Sequence, residues 1–170
     1  MGAQPPRPFV PAHFDLPPPP RGPGFVLTPL RLVHNERDLD AWSSSVNHIH
    51  ATAGFAGHPW PDEPMTLERN ARDLQEHEDD FAHRRGFTYS VLTPAGDEVV
   101  GCVYIYPSTK SDVEAEVRSW VRATRVGLDA PLYATVYEWL RAEWPFRTFD
   151  YAPRHVIGIT QPGDDPPATS

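Results

Sequence analysis

Residues Ser119 to Leu140 read SWVRATRVGLDAPLYATVYEWL, and the order of their local preferences decides the fold. SWV ends an alternating stretch that begins at Val113. RATRVG is a short basic turn with one glycine, Gly127. From Asp129 onward, Leu132, Val136 and Leu140 recur at helical spacing, with Tyr133 and Trp144 alongside. A strand that runs through a turn into a helix leaves free backbone N–H groups at the positive end of the helix dipole, an arrangement suited to phosphate. Asp129 stands where a phosphate cradle favours glycine. Followed by Ala130 and Pro131, it reads as an N-cap over the N–H of Leu132. Two unit charges about 5 Å apart repel by roughly 3 kcal/mol at an effective dielectric near 20. Arg122 and Arg125 offset that repulsion if they fold over the anion. The turn therefore reads as a compromised cradle or as a plain capped helix.

Working outward, three strands precede this junction: FTYSVLT (87–93), EVVGCVYIYP (98–107) and VEAEVRSWV (113–121). The first two are joined by PAGD, a tight hairpin turn. Thr66 starts a helix that buries Leu67, Ala71, Leu74 and Phe81 and stops at Gly86 after Arg84 and Arg85. NERDLDAWSSSVNHI reads as another helix, capped by Asn35, with Leu39, Trp42, Val46 and Ile49 as its apolar stripe. FVLTPLRLV (25–33) is β-like, with Pro29 placing it at an edge or a bulge. RTFDY supplies a last short strand. The order is β-α-α-β-β-β-α-β, an α+β fold.

Composition divides the 170 residues into an extended proline-rich arm (1–24), one domain (25–159) and a polar tail (160–170) expected to be disordered. The arm is expected to lie along the domain through Phe9, Val10 and Phe14, and its PxxP pattern is a candidate partner ligand. A net charge of −8 argues against nucleic acid or an anionic membrane as partner. Stretches of about 18 apolar residues, which a spanning helix needs, are absent. The single cysteine, Cys102, and the lack of a secretory signal point to a reducing, cytoplasmic setting. Arginine makes up all but one of the 15 basic residues, which hints at a GC-rich bacterial genome.

Side chains alternate along EAEVRSWV, so Glu114, Glu116, Arg118 and Trp120 share one face, and Ala115, Val117, Ser119 and Val121 the other. The carboxylates are either general bases or partners of Arg118 and Arg122. His48 and His50, and His77 and His83, have the wrong helical spacing for a shared metal, so none is assigned. Trp60 in HPWPDEP is a loop anchor or a wall of a site. Cys102 reads as core.

The element order and the junction resemble the GNAT family, the Gcn5-related N-acetyltransferases, over roughly Phe25 to Tyr151. The resemblance implies a mixed central sheet with helices on both faces. It also implies that the fourth strand of that order splays from the fifth to admit acetyl-CoA, whose pantetheine bonds the free strand backbone. The pyrophosphate then sits on a turn of pattern Gln/Arg-x-x-Gly-x-Gly/Ala. Here Thr124 stands for Gln/Arg, Gly127 matches, and Asp129 replaces the second glycine. The implied cosubstrate-binding residues are Trp120, Val121, Arg122, Arg125, Val126, Gly127, Leu128, Asp129 and Ala130. The stretch Ala115-Glu116-Val117 resembles the one carrying the base in the histone-acetylating branch. That makes Glu116 the implied base, with Glu114 second; Tyr151, with Tyr133 as alternative, is the implied acid for the thiolate. A further helix and a final hairpin of the family are not evident. The implied activity is N-acetylation of a primary amine of a small molecule or peptide by direct attack. The alternative is a catalytically weakened binding or regulatory module.

Overall fold

The computed structural model describes residues 8–62 and 65–154; the expected tail and the expected domain end at residue 159 lie outside them. Six strands form one sheet in sequence order: β1 (Arg21–Gly22), β2 (Phe25–Pro29), β3 (Phe87–Leu92), β4 (Val99–Pro107), β5 (Ala115–Val121) and β6 (Phe149–Tyr151). All neighbours are antiparallel except β5 and β6, which are parallel because a helical crossover joins them. The helices are α1 (Asn35–Ser43), α2 (Val46–Ala51), α3 (Leu67–Ala82) and α4 (Asp129–Glu143).

Two departures from the expected order have local causes. The arm contributes β1, because Arg21 and Gly22 pair with Val26 and Phe25 ahead of the turn at Gly24, whose φ is +85°. The expected helix over 35–49 breaks into α1 and α2 at the serine run. There Ser44 Oγ accepts no role as a cap and instead donates back to Asp40 O at 2.8 Å, competing with the ladder.

The sheet separates two apolar layers. On one face α4 buries Leu132, Tyr133, Val136 and Leu140 over Val103, Ile105, Val117 and Val121. The arm closes the same layer: Val10 is buried, and Phe9 stacks on Phe87 and Phe146 at 5.9 and 5.1 Å. Arg84, in the left-handed conformation after α3 (φ 58°), holds the arm by donating to the carbonyls of Ala12 and Phe14. On the other face α1, α2 and α3 cover Val99, Cys102 and Trp120 with Trp42, Ile49 and Leu74. Thr66 caps α3 as expected, its Oγ1 accepting from the N–H of Arg69 at 3.1 Å. At the centre, Gly101 lets β4 and β5 approach: a Cβ there would lie 2.3 Å from the Trp120 carbonyl oxygen.

Candidate active site

β5 and β6 pair only at Ala115–Phe149, Glu116–Asp150 and Val117–Tyr151. Beyond Val117 the ladder ends where β6 ends, and the edge of β5 from Arg118 to Val121 has a gap in its strand pairing among the described residues. Arg154 sits in it, with a side chain only 7% exposed. Its guanidinium donates to Ser119 O at 2.9 Å and to Ala152 O at 2.8 Å, and pairs with the Asp129 carboxylate at 3.1 Å. It also lies 5.6 and 5.8 Å from the ring centres of Tyr151 and Tyr133.

This pair revises the expected role of Asp129. The N-cap of α4 is Leu128, without a side-chain cap, and Asp129 is the first helical residue. A carboxylate in the first turn is favoured by the dipole, and here its countercharge comes from beyond β6. The turn itself, Ala123–Leu128, is a 3-10 helix interrupted at Arg125. It consumes donors internally: Arg125 N bonds Arg122 O at 2.8 Å, and Asp129 N bonds Val126 O. Gly127 faces open space, and Val126 is exposed. Arg122 and Arg125, expected over the turn, reach instead to Glu98 at 3.2 and 2.8 Å, and Arg122 also to Asp40 at 2.5 Å. Two carboxylates on the neighbouring hairpin and on α1 outcompete the position over the turn.

Tyr151 is buried, its ring tilted against that of Tyr133 with centres 4.6 Å apart, and its hydroxyl lies 2.6 Å from Ser119 Oγ. Burial pushes its phenol well above the ordinary range, with the Ser119 hydroxyl and Arg154 acting the other way. Burial also raises Tyr133. Glu114 is held at the approach to β6, accepting from the N–H groups of Arg147 and Thr148 at 2.5 and 3.4 Å. Trp120 is fully buried, donating its indole N–H to Tyr104 Oη at 3.1 Å.

Glu116 points away from Tyr151, to the opposite face, and lines a cavity of about 470 Å³ between the sheet and α1 and α3. It is ion-paired with Arg118, whose Nε donates to Gly54 O at 3.0 Å. Tyr104 and Tyr106 pair across the strands with Arg118 and Glu116, so pleat alternation brings all four to this cavity. Phe55 and Trp60 from the loop after α2 complete an aromatic wall. Trp60 lies 6.2 Å from Tyr104, 6.0 Å from Phe55 and 5.6 Å from Trp42, and its backbone N–H donates to His58 Nδ1 at 3.1 Å. Trp60 is thus both an anchor and a wall.

Sequence reasoning missed the polar floor. Asn70, buried, accepts from Trp42 Nε1 at 3.1 Å and donates to Asn35 Oδ1 and Asp38 Oδ2 at 2.9 and 3.1 Å. His77 Nδ1 lies 2.8 Å from Tyr106 Oη and 3.1 Å from Thr88 Oγ1, and burial lowers its pKa. Burial raises Asp38 from the ordinary 3.8 to about 6, against the hydrogen bond from Asn70. A carboxyl whose folded pKa exceeds its unfolded one stabilises most when protonated. Stability should therefore fall as pH rises from about 4 to about 6, by about 3 kcal/mol for this one group. Asp38→Asn keeps an acceptor for Asn70 and should remove that slope; denaturant titrations of both forms between pH 4 and 7 measure the difference.

No family model and no curated protein matches the chain. Solved structures do. Ribosomal-protein-S5-alanine acetyltransferase from Vibrio fischeri superposes with a TM-score of 0.55 at 13% identity, covering 74% of this chain and 67% of that one. RimJ of Mycobacterium smegmatis, in complex with CoA-disulfide, gives 0.55 at 18%, covering 78% and 65%. The fold is that of the GNAT acetyltransferases. The microcin C7 self-immunity acetyltransferase MccE, in complex with acetyl-CoA and AMP, shares this GNAT fold at a TM-score of 0.53 and 13% identity, over 69% of this chain and 61% of that one. The chain spans about two thirds of the length of these GNAT-fold neighbours. Among its described residues no helix is long and apolar enough to cross a membrane, and no group of histidines, cysteines and carboxylates is arranged for a metal.

Proposed function

We propose that the protein is an acyl-CoA-dependent N-acyltransferase. The observation that carries this reading is the early end of the β5–β6 ladder at Val117, which leaves Arg118 to Val121 without a strand partner on that edge among the described residues, next to a cavity bearing Glu116. An amine in the cavity loses a proton to Glu116, directly or through water, and its nitrogen attacks the thioester carbonyl. The tetrahedral intermediate expels the CoA thiolate as the C–S bond breaks, and the nitrogen gives up its second proton to solvent, leaving the neutral amide. The thiolate takes a proton from Tyr151, Tyr133 or solvent. Pantetheine would run along the free side of Ser119 to Val121, with the pyrophosphate over Arg122 to Ala130. The fit requires Arg154 to move aside, since its guanidinium lies against the Ser119 carbonyl that a pantetheine amide would approach.

A second reading, a GNAT-fold binding module without efficient transfer, is favoured by the same Arg154–Asp129 pair. Melting curves with acetyl-CoA, CoA and longer acyl-CoAs, followed by a thiol-release assay with amines, separate the two. The first reading expects a higher melting temperature with acetyl-CoA and amine-dependent thiol release. The absence of both at millimolar acetyl-CoA overturns it in favour of the module.

A further inference from the structure

The cavity between the sheet and α1 and α3 combines a wall of aromatic rings with an excess of acidic side chains. Phe55, Trp60 and Tyr104 lie within 6.4 Å of one another, ring centre to ring centre, and each lines it. Aromatic faces carry negative quadrupole density and attract cations, most strongly where water is excluded. Four carboxylates line the same space, Asp38, Asp73, Glu76 and Glu116, against one guanidinium, Arg118. Arg118 is already committed to Glu116 and to the Gly54 carbonyl. Asp73 and Glu76, three residues apart on α3, have no ion-pair partner among the described residues. His77 has its Nδ1 engaged by Tyr106 and Thr88.

We propose that this cavity binds a compact organic cation, an ammonium group carried on an apolar, ring-bearing body. About 470 Å³ is the size of a small-molecule site. A protein N-terminus is disfavoured by the floor. β4 is paired on both sides along the cavity, and β5 is paired with β4 throughout and with β6 up to Val117. The floor therefore presents side chains rather than a free strand edge on which an extended peptide can bond. The assignment rests on the acyltransferase reading for the fate of the ligand, as its acceptor, but not for its binding.

Calorimetry without any CoA tests it, using 2-phenylethylammonium, the neutral 3-phenylpropanol, the anionic 3-phenylpropionate, and a Ser-Ala-Ala peptide with a free N-terminus. The ammonium is expected to bind at least tenfold more tightly than the alcohol, and the carboxylate and peptide not measurably. Trp60→Leu and Asp73→Asn should each weaken the ammonium at least threefold, with the melting temperature of Asp73→Asn unchanged. Equal affinity for ammonium and alcohol, preference for the peptide, no binding of any probe, or unchanged affinity in both variants each overturns the proposal. Cation binding in a protein that ignores acetyl-CoA leaves this inference standing and removes the acyltransferase; the reverse pattern does the opposite.

Discussion

Glu116→Gln is expected to lower the turnover of amine acetylation by about 100-fold or more at neutral pH, the scale on which a positioned general base contributes. The carboxylate lines the cavity at 26% side-chain exposure, within reach of water, and its partner Arg118 is itself a third exposed. The variant therefore leaves no deeply buried unpaired charge, and folding should hold. The deficit should narrow as pH rises towards 9 or 10, because a larger share of the amine is then already neutral. Glu114→Gln is the control. Its carboxylate is spent on the N–H groups of Arg147 and Thr148, so it should change the rate less than about threefold. Steady-state rates of the two variants across pH decide the matter; equal losses would remove Glu116 from the base position.

Asp129→Asn is expected to tighten acetyl-CoA binding by about tenfold. The change removes a negative charge beside the proposed pyrophosphate position, worth up to roughly 3 kcal/mol before screening and less after it. It also weakens the hold on Arg154, whose guanidinium otherwise occupies the Ser119 carbonyl. The cost falls on folding. With side chains 7% and 23% exposed, the pair is largely buried, and removing one partner should destabilise by about 2–4 kcal/mol. Asp129→Ala with Arg154→Ala leaves neither charge stranded. It should tighten acetyl-CoA as well, while losing less stability than the two single changes together. Titration calorimetry and denaturant melts of Asp129→Asn, the double variant and its two single components measure both quantities. Wild-type affinity in all of them would place the pyrophosphate elsewhere.

Periodicity located the residues of the α-helices, with α1 and α2 read as one, and five of the six strands, because apolar residues at intervals of two or of three and four have few other uses. Alternation along VEAEVRSWV divided its side chains as the two apolar layers do, with Val117 and Val121 under α4 and Trp120 under α1 and α3. The same rule applied to VVGCVYIYP would have put Tyr104 and Tyr106 on the face of Glu116 and Arg118. The helix break at Ser43–Val46 and the two-residue β1 were not readable, since both depend on what the neighbouring chain offers. Arg154 was the least legible residue. Nothing in YAPRHVI marks it, and its position follows from a carboxylate 25 residues away in sequence. Arg122 and Arg125 misled for the converse reason: proximity along the chain suggested the turn, while Glu98 and Asp40 were nearer in space.

The ends of the sheet also bear on how the molecule behaves among its own copies. One border is a strand of two residues preceded by Pro17 to Pro20, none of which has an amide hydrogen to offer; the other is three residues long. A long unpaired border invites a neighbour to extend the ladder, the first step towards fibrillar stacking. Here the proline run acts as a gatekeeper, and removing residues through Gly22 would bare β2 at Phe25–Leu27 and invite self-association.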